Sequence, residues 1–160
     1  MKPMTAGEYL KKFAQYLARL LDIRTPRLKF ERERTEGSSL LGGLSTDSGE
    51  IIIVTQLDTE DDFNIDTPDA LDTLFRIAHE MRHAWQSIRR PDLLEQYQTR
   101  EKLSLDDYNN QLAEIDAHAF ASLIMQSNYH VKPLFVGLNG DTRLRIDARV
   151  DEIYTELRRL

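Results

Sequence analysis

The sequence predicts an α+β fold, rich in helix, with a small and mostly antiparallel sheet early in the chain. Three observations carry this. Apolar residues recur at helical spacing near 5–22, 68–90, 104–126 and 141–157. Two short stretches, 27–33 and 51–54, have the alternation or β-branching of strands. No repeat, low-complexity tract or linker divides the 160 residues, so residues 1–160 read as a single domain large enough to bury a core.

The elements follow in order. Thr5 and Glu8 form a capping-box pair that opens a helix to about Asp22, with Leu10, Phe13, Ala14, Leu17, Leu20 and Leu21 on one face. Pro26 bars its continuation, and Leu28 and Phe30 alternate with charges as in a half-buried strand. Thr35-Glu36-Gly37-Ser38 reads as a turn, and 39–46 as a weaker strand interrupted by Gly42-Gly43. Asp47-Ser48-Gly49 reads as a hairpin turn into Ile51-Ile52-Ile53-Val54, a central strand. The acidic stretch 58–66 reads as a solvated loop; it lacks the glycine and closing glutamate of an EF-hand.

Thr67-Pro68-Asp69 supplies an N-cap, a proline at the first helical position and an acidic first turn. Leu71, Leu74, Ala78, Met81, Trp85 and Ile88 make the apolar stripe of that helix, which Arg89-Arg90-Pro91 ends. Residues 92–102 read as a short helix or ordered loop. One helix is then expected from Ser104–Asp107 to about Gln126, burying Tyr108, Leu112, Ile115, Ala119 and Leu123. The irregular stretch 128–140 contains Val131, Leu134, Phe135, Val136 and Leu138 and is expected either to fold back over the core or to form a wall of a substrate groove. Asp141 caps a last helix with Ile146, Val150, Ile153, Tyr154 and Leu157 facing inward.

Composition narrows the function. A net charge of -6 and a pI near 5.2 give no basic field, so direct nucleic-acid binding is not expected. The absence of cysteine excludes disulfides, a thiolate nucleophile and any Cys-ligated metal. No apolar run approaches a membrane span, and the N-terminus has no signal-peptide hydrophobic stretch, so a cytoplasmic location and no membrane partner are expected.

The chemistry is concentrated in His79-Glu80-Met81-Arg82-His83. Four residues is just over one helical turn, so two imidazoles spaced this way project from one side and can share an ion. Glu80 is rotated about 100° from His79, where it can stand beside the metal as general base for a zinc-bound water. A catalytic zinc wants three protein ligands and an open position. Glu114 is the chosen third ligand because it lies on a second predicted helix, flanked by small residues, with enough chain between to turn back. Asp116 points about 160° away from it. His118 shares the Glu114 face, either as the ligand itself or as a partner that orients a metal histidine. Tyr97, Tyr108, Tyr129 and His130 are candidate oxyanion donors.

His79-Glu80-Met81-Arg82-His83 followed by Glu114-Ile115-Asp116-Ala117-His118-Ala119-Phe120-Ala121 resembles the ImmA/IrrE family of zincin metallopeptidases. In that family an HExxH helix is followed by a helix of the form E-x-E/D-A-N-x-F-A; here His118 stands at the usual Asn. The resemblance covers roughly residues 50 to 125, and its ends match in general layout. It implies a zincin-like fold, zinc held by His79, His83 and Glu114, and Glu80 as catalytic base. Family members are intracellular peptidases, several of which cleave a repressor. The expected function is therefore a cytoplasmic zinc endopeptidase acting on a specific protein. The alternative is a zinc-bearing protein-interaction module without catalysis, with His118 as a closing fourth ligand; retention of Glu80 argues against it.

Overall fold

The computed structural model describes residues 3–32, 42–45 and 49–159. Its elements are α1 (Ala6–Leu21), β1 (Arg27–Glu31), β2 (Gly42–Ser45), β3 (Glu50–Val54), α2 (Pro68–Arg89), α3 (Leu105–Asn109), α4 (Leu112–Tyr129) and α5 (Gly140–Arg158). Two 3-10 turns, Pro91–Leu94 and Arg100–Lys102, lie between α2 and α3. The fold is α+β with helix predominating. The chain divides into two compact units, Met1–Trp85 and Gln86–Leu160.

In the first unit, α1 starts where the capping pair predicts. Thr5 Oγ1 accepts the Glu8 N–H at 3.2 Å, and Asp22 closes the helix in the left-handed region at φ 55°. The acidic stretch before α2 is not merely solvated. Ala6 N–H donates to Asp61 O (2.7 Å), Gly7 N–H to Thr59 O (2.9 Å), and the Tyr9 ring stacks on Phe63 at 3.8 Å. A Cβ at Gly7 would meet Thr59 O at 3.1 Å, a tight contact that glycine avoids.

The sheet has the order β1-β3-β2, with β3 central as its β-branched run predicts. The expectation of a mostly antiparallel sheet is not met. β2 pairs with β3 antiparallel, but the longer pairing, β1 with β3, is parallel. Alternation along a strand reports which face is buried and is silent on the direction of the neighbour. Ile51 and Ile53 are fully buried, while Ile52 on the other face is half-buried. The turn expected at 35–38 and residues 47–48 of the hairpin turn lie outside the described residues.

α2 begins at Pro68, with Thr67 Oγ1 accepting the Ala70 N–H at 3.2 Å. The end of β3 is tied to it by the buried Thr55–Thr73 hydroxyl pair (2.7 Å) and by Arg76 Nη1 donating to Val54 O (2.7 Å). The buried face is broader than the stripe read from sequence and includes Ala70, Ile77 and Ala84 beside Leu74, Ala78 and Met81. Leu71 and Trp85 are half-buried, and Ile88, expected inside, is 56% exposed in the last turn.

In the second unit, the single helix expected from 104 to 126 is two helices. Ser104 caps α3 as predicted, but Gln111 adopts extended backbone (ψ 143°) and α4 starts afresh after it. Side chains bond to nearby backbone at the break. Asn109 Nδ2 donates to Leu105 O, and Gln111 Nε2 donates to Tyr108 O. Every α4 residue from Ala113 to Met125 is buried except His118, so the one-sided stripe was too narrow; Leu112, predicted inside, is 63% exposed. α5 packs along α4 through Thr142, Ile146 and Ile153. Its cap is Asn139, whose Oδ1 accepts the Thr142 N–H at 2.8 Å, instead of Asp141. Tyr154 is exposed, and so are Leu134 and Val136, which do not fold back over the core; in 130–139, Phe135 packs inward on His118.

Among the described residues no helix is long and apolar enough to cross a membrane. The burial of α4 on all sides predicts that Phe120→Ala costs about 3–5 kcal/mol while Leu112→Ala costs less than about 0.5 kcal/mol. Urea unfolding of the two variants checks this, and similar losses would contradict it.

Candidate metal centre

The turn spacing in α2 brings the His79 and His83 ring centroids to 4.7 Å, nearly edge to face at 88°. Both rings are half-buried. The residues between them are anchored: Met81 is fully buried, and the buried Arg82 guanidinium lies 3.6 Å from the Trp85 ring centroid. Glu80 is 9% exposed, with Oε1 3.3 Å from His79 Nδ1. A carboxylate only accepts, so this contact selects the Nδ1–H tautomer of His79 and leaves the lone pair on Nε2 for a metal.

Glu114 stands in the first turn of α4 and is 1% exposed. Its Oε1 accepts a hydrogen bond from the Tyr97 hydroxyl at 2.6 Å, and the Tyr108 hydroxyl lies 2.8 Å from that of Tyr97. Burial first, then the charge and hydrogen bond of Glu114, push the Tyr97 phenol far above its ordinary range, so it stays a donor. Tyr97 is placed by a clamp on the next residue: Gln111 Oε1 accepts the Gln98 N–H (2.7 Å) and Gln111 Nε2 donates to Gln98 O (3.0 Å).

His118, one turn after Glu114, has Nε2 3.9 Å from Glu114 Oε2 and 2.9 Å from Asn109 Oδ1. The Asn109 amide is oriented by its own Nδ2 bond to Leu105 O, so its oxygen faces the imidazole and His118 Nε2 carries the proton. That nitrogen has no lone pair to offer a metal. Asp116 points elsewhere, as its helical angle predicts. Gln86 Nε2 (2.8 Å) and Arg149 Nε (2.9 Å) donate to it, and Arg149 Nη2 pairs with it at 2.8 Å. Burial alone would lower the Arg149 guanidinium, but the charge and hydrogen bond of Asp116 outweigh it and hold the pair ionised.

Ligand atoms of His79, His83 and Glu114 all lie within 4.8 Å of one another, close enough to hold a metal ion. Glu80, Asp116 and His118 are outside this group among the described residues. Two imidazole nitrogens and one carboxylate oxygen, the carboxylate buried and already hydrogen-bonded, form a donor set that fits a divalent cation such as zinc. Of the oxyanion candidates, Tyr97 and Tyr108 are bonded to each other and, through Tyr97, to Glu114, whereas Tyr129 and His130 end α4 at its far terminus from Glu114.

Sequence reasoning missed Gln86, Asn109 and Gln111. Gln86 is fully buried and donates to Ala113 O (2.9 Å) as well as to Asp116. Paired amides around a helix break, Asn109-Asn110-Gln111, were the available signal for the other two. Gln111→Ala is expected to lower protection of the Gln98 amide in hydrogen exchange about tenfold, one lost hydrogen bond, while α5 amides keep theirs. Unchanged Gln98 protection would mean the clamp does not hold the segment.

No protein-family model, curated protein or solved structure matches this chain.

Proposed function

We propose that this protein is a zinc-dependent endopeptidase that uses His79, His83 and Glu114 as metal ligands and Glu80 as general base. The observation that carries the reading is the grouping of those three ligand atoms within 4.8 Å, with Glu80 adjacent in sequence to one ligand and outside the group. The likeness of the HExxH segment and the Glu114–Ala121 segment to the ImmA/IrrE pattern supports the same reading.

A cation at this position supplies Lewis acidity toward a peptide carbonyl and toward water. The protein's own groups do the rest. Glu80 accepts the proton of the attacking water and passes it to the amide nitrogen as the C–N bond breaks, leaving one carboxylate and one amine. His79 is held by Glu80 in the tautomer that presents Nε2. His118 has Nε2 committed to Asn109 and lies outside the ligand group, so the coordination is left open, which favours catalysis over a closed structural site. The substrate class is a protein or peptide.

Elemental mass spectrometry after loading with zinc and dialysis tests the ligand set. Near-stoichiometric zinc is expected in the wild type, Glu80→Gln and His118→Ala, and loss of it in Glu114→Ala. A denatured-proteome peptide library incubated with wild type and Glu80→Gln then tests catalysis. New termini are expected with the wild type and a drop of at least about 10²-fold with Glu80→Gln. Bound zinc with identical peptide patterns would replace the peptidase reading with a non-catalytic interaction module. Zinc retained in Glu114→Ala would overturn the ligand assignment.

A further inference from the structure

Resting on the reading of His79, His83 and Glu114 as metal ligands, we propose that Tyr97 is a positioning residue for this site. Its hydroxyl holds the Glu114 carboxylate in the orientation that ligates, and Tyr108 holds Tyr97 in turn. The first support is geometric. A hydroxyl-to-carboxylate contact of 2.6 Å has the length of a charge-assisted hydrogen bond, and it falls on a side chain that is 1% exposed. Glu has three rotatable bonds, and a bond to one oxygen removes most of the freedom that metal binding would otherwise have to freeze.

The second support is a proton count. Tyr97 and Tyr108 each carry one hydroxyl proton, and three oxygens stand in line: Tyr108 Oη, Tyr97 Oη and Glu114 Oε1. The carboxylate can only accept, so the Tyr97 proton goes to Glu114 and the Tyr108 proton goes to Tyr97. The Tyr97 proton is thereby committed to the ligand and is not offered to a developing oxyanion. This distinguishes the role assigned here from that of a transition-state donor.

The third support is the origin of the segment's placement. Tyr97 precedes Gln98, whose backbone is clamped on both its N–H and its C=O by Gln111. Gln111 is the N-cap residue of α4, three positions before Glu114. The hydroxyl and the carboxylate are therefore both referenced to the same helix start, and a short segment with no long helix of its own can hold the bond in register.

The test is zinc affinity by chelator competition, with the visible absorption spectrum of the cobalt(II)-substituted protein, for wild type, Tyr97→Phe and Tyr108→Phe. Tyr97→Phe is expected to weaken zinc binding about 10- to 100-fold and to alter the cobalt bands, with circular dichroism unchanged. Tyr108→Phe, which leaves the bond to Glu114 in place, is expected to weaken binding by about two- to fivefold. A purely structural tyrosine would lower the unfolding midpoint and leave the cobalt spectrum as it was. Wild-type zinc affinity in a folded Tyr97→Phe overturns this inference and leaves the ligand assignment standing. A wild type that takes up no zinc overturns both. If Tyr97→Phe does not fold without metal, Tyr108→Phe decides, and unchanged affinity there overturns the proposal.

Discussion

The buried carboxylate of Asp116 constrains how the second unit packs. With 3% of its side chain exposed it cannot be solvated, so it must be met by donors where it stands. Arg149 of α5 supplies charge and a hydrogen bond, and Gln86 supplies a second. The same Gln86 amide reaches Ala113 O, so one side chain reads both the charge and the backbone at the beginning of α4. Gln86 follows His83 by three residues, and Ala113 immediately precedes Glu114. A buried ion pair contributes little net stability over apolar residues of the same shape, and here it ties α5 to α4 at one defined point.

Around Glu114 the same principle operates with neutral donors. Tyr97, Asn109, Gln111 and His118 form short-range links in which each amide or hydroxyl has its direction set by another partner. Asn109 is informative because its two ends do different work. The Nδ2 end closes the last turn of α3, and the Oδ1 end dictates where the His118 proton sits. The helix break that permits this separates two segments whose apolar pattern would have run on without interruption.

The parts of the architecture legible in sequence are those that depend on spacing along one element. The capping pair of Thr5 and Glu8, the start of α2 at Thr67-Pro68, the central position of β3 and the shared side of His79 and His83 all follow from local geometry. Glu114 was legible for a related reason: a carboxylate among small residues on a helix can approach a partner closely. What could not be read depends on partners distant in sequence. Nothing in Leu28 and Phe30 tells β1 to run parallel to β3, and nothing in Gln86 distinguishes a buried amide from a solvated one. Leu134 and Val136 look like core residues by composition, yet they are exposed on either side of Phe135, which takes φ 47°.

The mixed sheet also orders events in time. Ser45 meets Glu50 only five positions later, whereas Arg27 meets the same Glu50 across twenty-three. Closing the shorter loop loses less chain entropy, and hairpins form within about 1–10 μs, so β2 and β3 are the pair able to assemble first. β1 then adds to an edge already aligned, and its arrival depends on a search over the longer loop. The edge strand β1 is therefore the last piece of the sheet to be secured during folding and the first whose loss would leave a hairpin behind.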